Sequence, residues 1–124
     1  MSKILIVDDN APSRDLVRAI LKSVPSDIIE AKHGQEALDL IQQEHPDLVL
    51  MDIDMPVLDG LSAVRKIRQT PSLADLPVVA VTSFAMEGDR EKGLAAGFTA
   101  YLVKPLRAAA LREQVQQLLG RALA

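Results

Sequence analysis

Apolar residues along this chain alternate between two patterns: short unbroken runs, and longer stretches where they recur every three or four positions. Ile4-Leu5-Ile6-Val7, Leu48-Val49-Leu50-Met51, Val78-Val79-Ala80-Val81 and Tyr101-Leu102-Val103 are the unbroken runs. Runs this short and continuous predict strands buried on both faces of a parallel sheet. Asp27-Ile28-Ile29-Glu30-Ala31 predicts one further short strand. Between the strands the spacing is helical. Leu16, Val17, Ile20, Leu21 and Val24 form a first helix, with Pro12 in its first turn and Asn10 or Ser13 as its cap. Gly34 to Glu44 is a second, ended by His45-Pro46. Leu61, Val64 and Ile67 mark a third, after a loop framed by Pro56 and Gly60. A fourth runs from about Gly88 to Ala96 and stops at Gly97. Leu111, Val115, Leu118 and Leu119 mark the last, which closes near Gly120.

Five strands and five helices in strict alternation predict an α/β fold, a doubly wound parallel sheet with helices on both faces. At 124 residues the chain suffices for one domain with one core, so residues 1–124 are read as a single domain with nothing appended. Composition removes several function classes. A net charge of −3 gives no electrostatic reason to bind nucleic acid. The absence of cysteine excludes disulfides, thiolate metal sites and Cys nucleophiles. No apolar stretch approaches the about 20 residues of a membrane span, and the start lacks the apolar core of a secretory signal. The expectation is a cytoplasmic protein with no membrane partner. Met1, just before the first strand, suggests a free-standing chain rather than a piece of a longer kinase.

Three strand ends carry charge. The first runs into Asp8-Asp9, the third into Asp52 within Asp52-Ile53-Asp54-Met55-Pro56-Val57-Leu58-Asp59-Gly60, and the fifth into Lys104-Pro105. In open parallel sheets ligands bind beyond the carboxyl ends of the strands. An isolated Asp-Asp pair reads as a solvated loop or a helix cap. With Asp52 and Lys104 at matching strand ends, the carboxylates instead read as an oxygen site for a magnesium ion. Magnesium binds through a few carboxylates together with phosphate, and a carboxylate can accept a phosphoryl group as an aspartyl-phosphate. Asp52, central in the constellation, is then the candidate nucleophile, with Lys104 as a second positive point. Thr82 ends the fourth strand and is placed to donate a hydroxyl. Its value is positional, since a lone Thr after an apolar run otherwise starts a turn. Lys104-Pro105 is a candidate cis peptide, because such bonds occur almost only before proline.

These motifs, in this order and over the whole chain, resemble a response-regulator receiver domain of two-component phosphorelay signalling. The run Val81-Thr82-Ser83-Phe84-Ala85-Met86 is most similar to single-domain cell-cycle regulators and receivers of hybrid kinases. The resemblance implies a flavodoxin-like strand order 2-1-3-4-5 and a phosphoacceptor at Asp52. It implies that magnesium, or manganese, is held by Asp9 directly, by Asp8 mostly through water, by Asp52 and by the backbone carbonyl of Asp54. Lys104, Thr82 and Ser83 would stabilise the phosphoryl group. Thr82 and Tyr101 match the family's switch pair, in which the hydroxyl moves to the phosphoryl group and the ring rotates inward. Such a protein is no enzyme beyond catalysing its own phosphorylation and dephosphorylation. Its donor is a histidine kinase or histidine phosphotransfer protein, expected near Ala11, Pro12 and the first helix. Its downstream protein target is expected on the fourth helix, the strand holding Tyr101 and the last helix, with Met86, Arg90, Arg107 and Arg112 in the exposed part.

Two positions depart from the family. Receivers usually carry Ala or Gly at position 83, where Ser83 adds a hydroxyl, and often Phe where Leu106 stands. Asp54 and Phe84 bear on lifetime, the first by repelling or orienting a water, the second by screening the phosphoryl group. His33 and His45 lie away from the acids and are assigned no chemical role. Asp52-Ile53-Asp54 also fits the Asp-x-Asp of haloacid-dehalogenase-type phosphatases. That motif normally ends the first strand and continues differently, and the chain has no room for a substrate cap. The other alternative is a phosphorylation-independent interaction module on the receiver fold. Such proteins generally lose an acid or the lysine, and this chain keeps every position.

Overall fold

A computed structural model describes residues 2–123, with side chains as far as Gly120; Met1 lies outside the described residues. The strands are β1 (Ser2–Val7), β2 (Ser26–Ala31), β3 (Leu48–Met51), β4 (Val78–Thr82) and β5 (Ala100–Val103). They alternate with α1 (Ala11–Ile20), α2 (Gly34–Glu44), α3 (Gly60–Gln69), α4 (Asp89–Ala96) and α5 (Ala108–Leu123). All strand pairs are parallel, in the order β2-β1-β3-β4-β5.

The unbroken runs are sorted by the two-residue period of a strand. Leu5, Val7, Val49, Met51, Val78 and Ala80 face one way, against Ala37 and Ile41 of α2, Ala63, Val64 and Ile67 of α3, and Phe98. Ile4, Ile6, Leu48, Leu50, Val79 and Val81 face the other, against Val17 and Ile20 of α1 and Leu111, Val115, Leu118 and Leu119 of α5. Both faces are covered, so every position of β3 and β4 is apolar or, at Thr82, buried with its hydroxyl occupied. Burial of this kind contributes about 25 cal/mol per Å² of apolar surface removed from water.

Two helix ends differ from the pattern. The apolar spacing carries the first helix through Val24, but α1 stops at Ile20 and Leu21–Ser23 form one 3₁₀ turn. Val24 precedes Pro25, whose ring disfavours helical backbone in the residue before it, and Val24 is extended at φ −102° and ψ 115°. Leu21 and Val24 are nevertheless buried in the α1/α5 core. At the other terminus α5 continues past Gly120 to Leu123. One helical glycine costs about 1 kcal/mol relative to Ala, which the neighbouring buried Leu118 and Leu119 offset.

Caps position the loops that lead to the site. The Asn10 side chain accepts from the Ser13 N–H at 2.9 Å, and Asp59 accepts from the Ser62 N–H at 2.9 Å. His33 caps α2 through Nδ1, which accepts from the Glu36 N–H, and His45 ends the same helix with φ 50°.

Candidate functional site

Three of the five parallel strands, β1, β3 and β5, end one residue before a charge of the site. Asp8 follows β1, Asp52 follows β3 and Lys104 follows β5. Main-chain hydrogen bonds continue the ladder into these residues. The Asp52 N–H donates to the Val7 carbonyl at 2.9 Å, the Asp8 N–H to Ala31 at 3.1 Å and the Lys104 N–H to Thr82 at 2.8 Å. The charged positions are therefore fixed by the sheet itself.

Asp8, Asp9 and Asp52 each bring a carboxylate oxygen to within 4.8 Å of the others. Asp8 and Asp52 are buried and Asp9 is exposed. The Lys104 ammonium donates to Asp8 Oδ2 at 2.9 Å and to Asp52 Oδ2 at 3.2 Å. Burial works against this ammonium, but the hydrogen bonds and charges of Asp8 and Asp52 outweigh it and hold its pKa above the ordinary lysine value. The other Asp52 oxygen, Oδ1, accepts from the N–H groups of Ile53 at 2.7 Å and Asp54 at 3.3 Å. The Lys104–Pro105 peptide bond is cis.

Together these residues line an open cleft of about 320 Å³ bounded by Asp8, Asp9, Asn10, Ser13, Asp52, Asp54, Ser83, Phe84 and Lys104. Asn10 and Ser13 enter the lining because α1 starts beside the acids; the sequence marks them only as caps. Thr82 is not in the lining. It is fully buried, and its Oγ1 accepts from the Phe84 N–H at 3.2 Å. Tyr101 is buried as well, and its hydroxyl donates to the Phe84 carbonyl at 2.7 Å. One residue thus bridges Thr82 and Tyr101 through its main chain, a link the sequence does not signal because backbone atoms are common to every residue. Burial first, then the charges of Asp89 and Asp52, push the Tyr101 pKa up, so the phenol stays protonated and donating.

The loop after Asp52 is tightly constrained. The Leu58 N–H donates to the Pro56 carbonyl at 2.7 Å around Val57, which has φ 68°. A β-branched residue in that left-handed region is strained, and such strain is held only where the surroundings over-determine it. Gly60 supplies part of that constraint: a Cβ there would lie 2.3 Å from the Asp52 carbonyl oxygen. Asp59, beside it, has its carboxyl pKa lowered chiefly by the hydrogen bond from the Ser62 N–H.

Three carboxylates facing one ammonium leave an excess of negative charge, and an all-oxygen donor set with that excess suits a hard divalent cation. The chain matches the response regulator receiver domain over residues 4–116. It belongs to the response regulator receiver family. The polar-differentiation response regulator DivK of Brucella ovis is 38% identical over 119 residues, which span 96% of this chain and 97% of that protein. Among solved structures, the receiver domain of a sensor histidine kinase from Pseudomonas aeruginosa is 36% identical with a TM-score of 0.88. The match covers 96% of this chain and 98% of that one, and that structure has a magnesium ion coordinated in its active-site cleft. A chemotaxis response regulator of Vibrio cholerae superposes with a TM-score of 0.87 at 30% identity, covering 95% of this chain and 98% of that one. This chain is accordingly a phosphoacceptor module of two-component signalling, a class that works with histidine kinases and downstream targets. No helix among the described residues is long and apolar enough to cross a membrane.

Proposed function

We propose that Asp52 accepts the phosphoryl group and that the acids around it hold the magnesium, or manganese, that the transfer requires. The observation that carries this reading is the convergence of the Asp8, Asp9 and Asp52 carboxylates beside the Lys104 ammonium at the mouth of one cleft. In the step itself an Asp52 oxygen attacks phosphorus, the bond from phosphorus to the donor imidazole nitrogen breaks, and that nitrogen keeps the electron pair. The product is an acyl phosphate on Asp52. A cation on Asp8, Asp9, Asp52 and the Asp54 carbonyl would neutralise charge on the transferring oxygens. Lys104 already stands 3.2 Å from Asp52 and pairs with the charge that develops there. The amides of Ile53 and Asp54 hold the acceptor in one orientation. Ser83, which lines the cleft, donates its hydroxyl to the phosphoryl group.

The donor, a histidine kinase or histidine phosphotransfer protein, approaches over Ala11, Pro12 and Leu16 of α1, which are exposed beside the cleft. The signal leaves by α4, β5 and α5. Thr82 turns its hydroxyl from the Phe84 N–H toward the phosphoryl group, and the loop held by Tyr101 resettles. Met86, Arg90 and Arg107 are exposed on that side, whereas Arg112 is half-buried. The protein acts in the cytoplasm, as a single receiver domain, and catalyses only its own phosphorylation and dephosphorylation. The test is incubation with magnesium and acetyl phosphate, followed by intact mass. The native chain gains one phosphoryl group and Asp52→Ala gains none. A native chain that binds magnesium but gains no mass would return the reading to a phosphorylation-independent interaction module.

A further inference from the structure

Arg14 lies on the first turn of α1 and is almost withdrawn from solvent, its side chain 13% exposed. Its Nη1 donates to the main-chain carbonyl of Asp8 at 2.7 Å, and its Nε donates to Glu30 Oε1 at 3.1 Å. Glu30 sits on β2 opposite Ile6 of β1, next to Ala31, whose carbonyl receives the Asp8 N–H. Asp8 is therefore held at every polar group. The Asn10 N–H takes Oδ1 and Lys104 takes Oδ2; Ala31 takes the amide and Arg14 the carbonyl. That carbonyl belongs to the peptide joining Asp8 to Asp9. Fixing its oxygen fixes the peptide plane from which Asp9 departs, and Asp9 is exposed, so the main chain that leads to it sets its place among the three acids.

We infer that Arg14, anchored by Glu30, is a positioning residue for the cation site: it orients the Asp8–Asp9 peptide so that Asp9 meets Asp8 and Asp52. The inference rests on the reading that these acids hold a divalent cation. It gives β2, which contributes no side chain to the cleft, a part in building it. Arg18 is the internal comparison. It pairs with the same Glu30 but lies one turn further from the acids. Outer-shell partners of metal ligands typically alter metal affinity by about 10–100-fold when removed.

The sign of the effect separates positioning from simple charge. Removing a cation near three carboxylates, by charge alone, tightens magnesium binding. Loss of positioning weakens it. Calorimetric titration of the whole chain with magnesium chloride at fixed ionic strength should show Arg14→Gln weakened about tenfold, with Arg18→Gln close to the native value. Arg14→Lys keeps the charge, yet one ammonium replaces a fork that reaches two partners, so it falls between the native chain and Arg14→Gln. It carries the test alone if circular dichroism shows Arg14→Gln unfolded. An unchanged or tighter constant in Arg14→Gln, equal weakening in Arg18→Gln, or a native constant in Arg14→Lys overturns the inference while leaving the cation reading intact. A native chain that takes no magnesium removes both.

Discussion

At Phe84 the main chain and the side chain carry separate tasks. Its N–H satisfies Thr82 and its carbonyl satisfies Tyr101, while the residue as a whole is 41% exposed and lines the cleft. The ring can be cut back without disturbing either main-chain bond. Phe84→Ala is therefore expected to leave phosphorylation of the native acceptor in place and to speed hydrolysis of the phosphoprotein severalfold, through easier access of water. An unchanged hydrolysis rate removes the screening role from Phe84. At this scale the sequence shows the acids and Lys104 clearly, because charge immediately after an unbroken apolar run is conspicuous. It hides Arg14. A basic residue on a helix face ordinarily reads as solvated, and its partner here is a main-chain oxygen that leaves no trace in the residue pattern.

Among the elements, α4 is the least firmly seated. Of its eight residues only Gly93 is buried, whereas α1, α2 and α3 each bury two or more side chains against the sheet. Gly93 lies against the Tyr101 ring, and a Cβ there would stand 2.9 Å from both Cδ2 and Cε2. Arg90, one turn earlier, donates to the Tyr101 carbonyl at 3.2 Å. Gly93→Ala must displace the ring or lift the helix, and overpacking of this sort costs about 1–3 kcal/mol. Tyr101 is the sole tyrosine in a chain without tryptophan, so its fluorescence reports the ring directly. The variant should melt lower and expose Tyr101 to a soluble quencher. Quenching equal to that of the native chain would show that this contact does not hold the ring inward. Four of the strands are legible in the sequence because their apolar runs are short and unbroken, and Gly97 marks the end of α4. Helix ends are less so. Periodicity continues through Val24 while Pro25 has already forbidden the helix, and at Gly120 the buried leucines override a breaker.

For the whole molecule, the crowding of Asp8, Asp9 and Asp52 is a cost that folding must offset, and Lys104 cancels only part of it. A ligand that binds the native state stabilises it by mass action, about 2.7 kcal/mol at a hundred times its dissociation constant. Saturating magnesium should therefore raise the Tm by several degrees, and a chelator should reverse the shift. In Asp9→Asn most of that response should vanish, while the metal-free Tm rises because one repulsive charge is gone. An equal magnesium shift in both proteins would place the ion elsewhere.

The strict alternation of side chains in β3 carries a consequence for how such a chain can diverge. Leu48 and Leu50 belong to one face and Val49 and Met51 to the other, so the side of the sheet on which Asp52 emerges depends on counting residues by twos. Inserting one residue in this strand turns the carboxylate away, and inserting two carries it about 6.6 Å along the strand axis, past a lysine that now stands 3.2 Å from it. Exposed connections away from the cleft tolerate insertion far better. The length of the central strand does not, and a lineage that changes it gives up the chemistry in a single step.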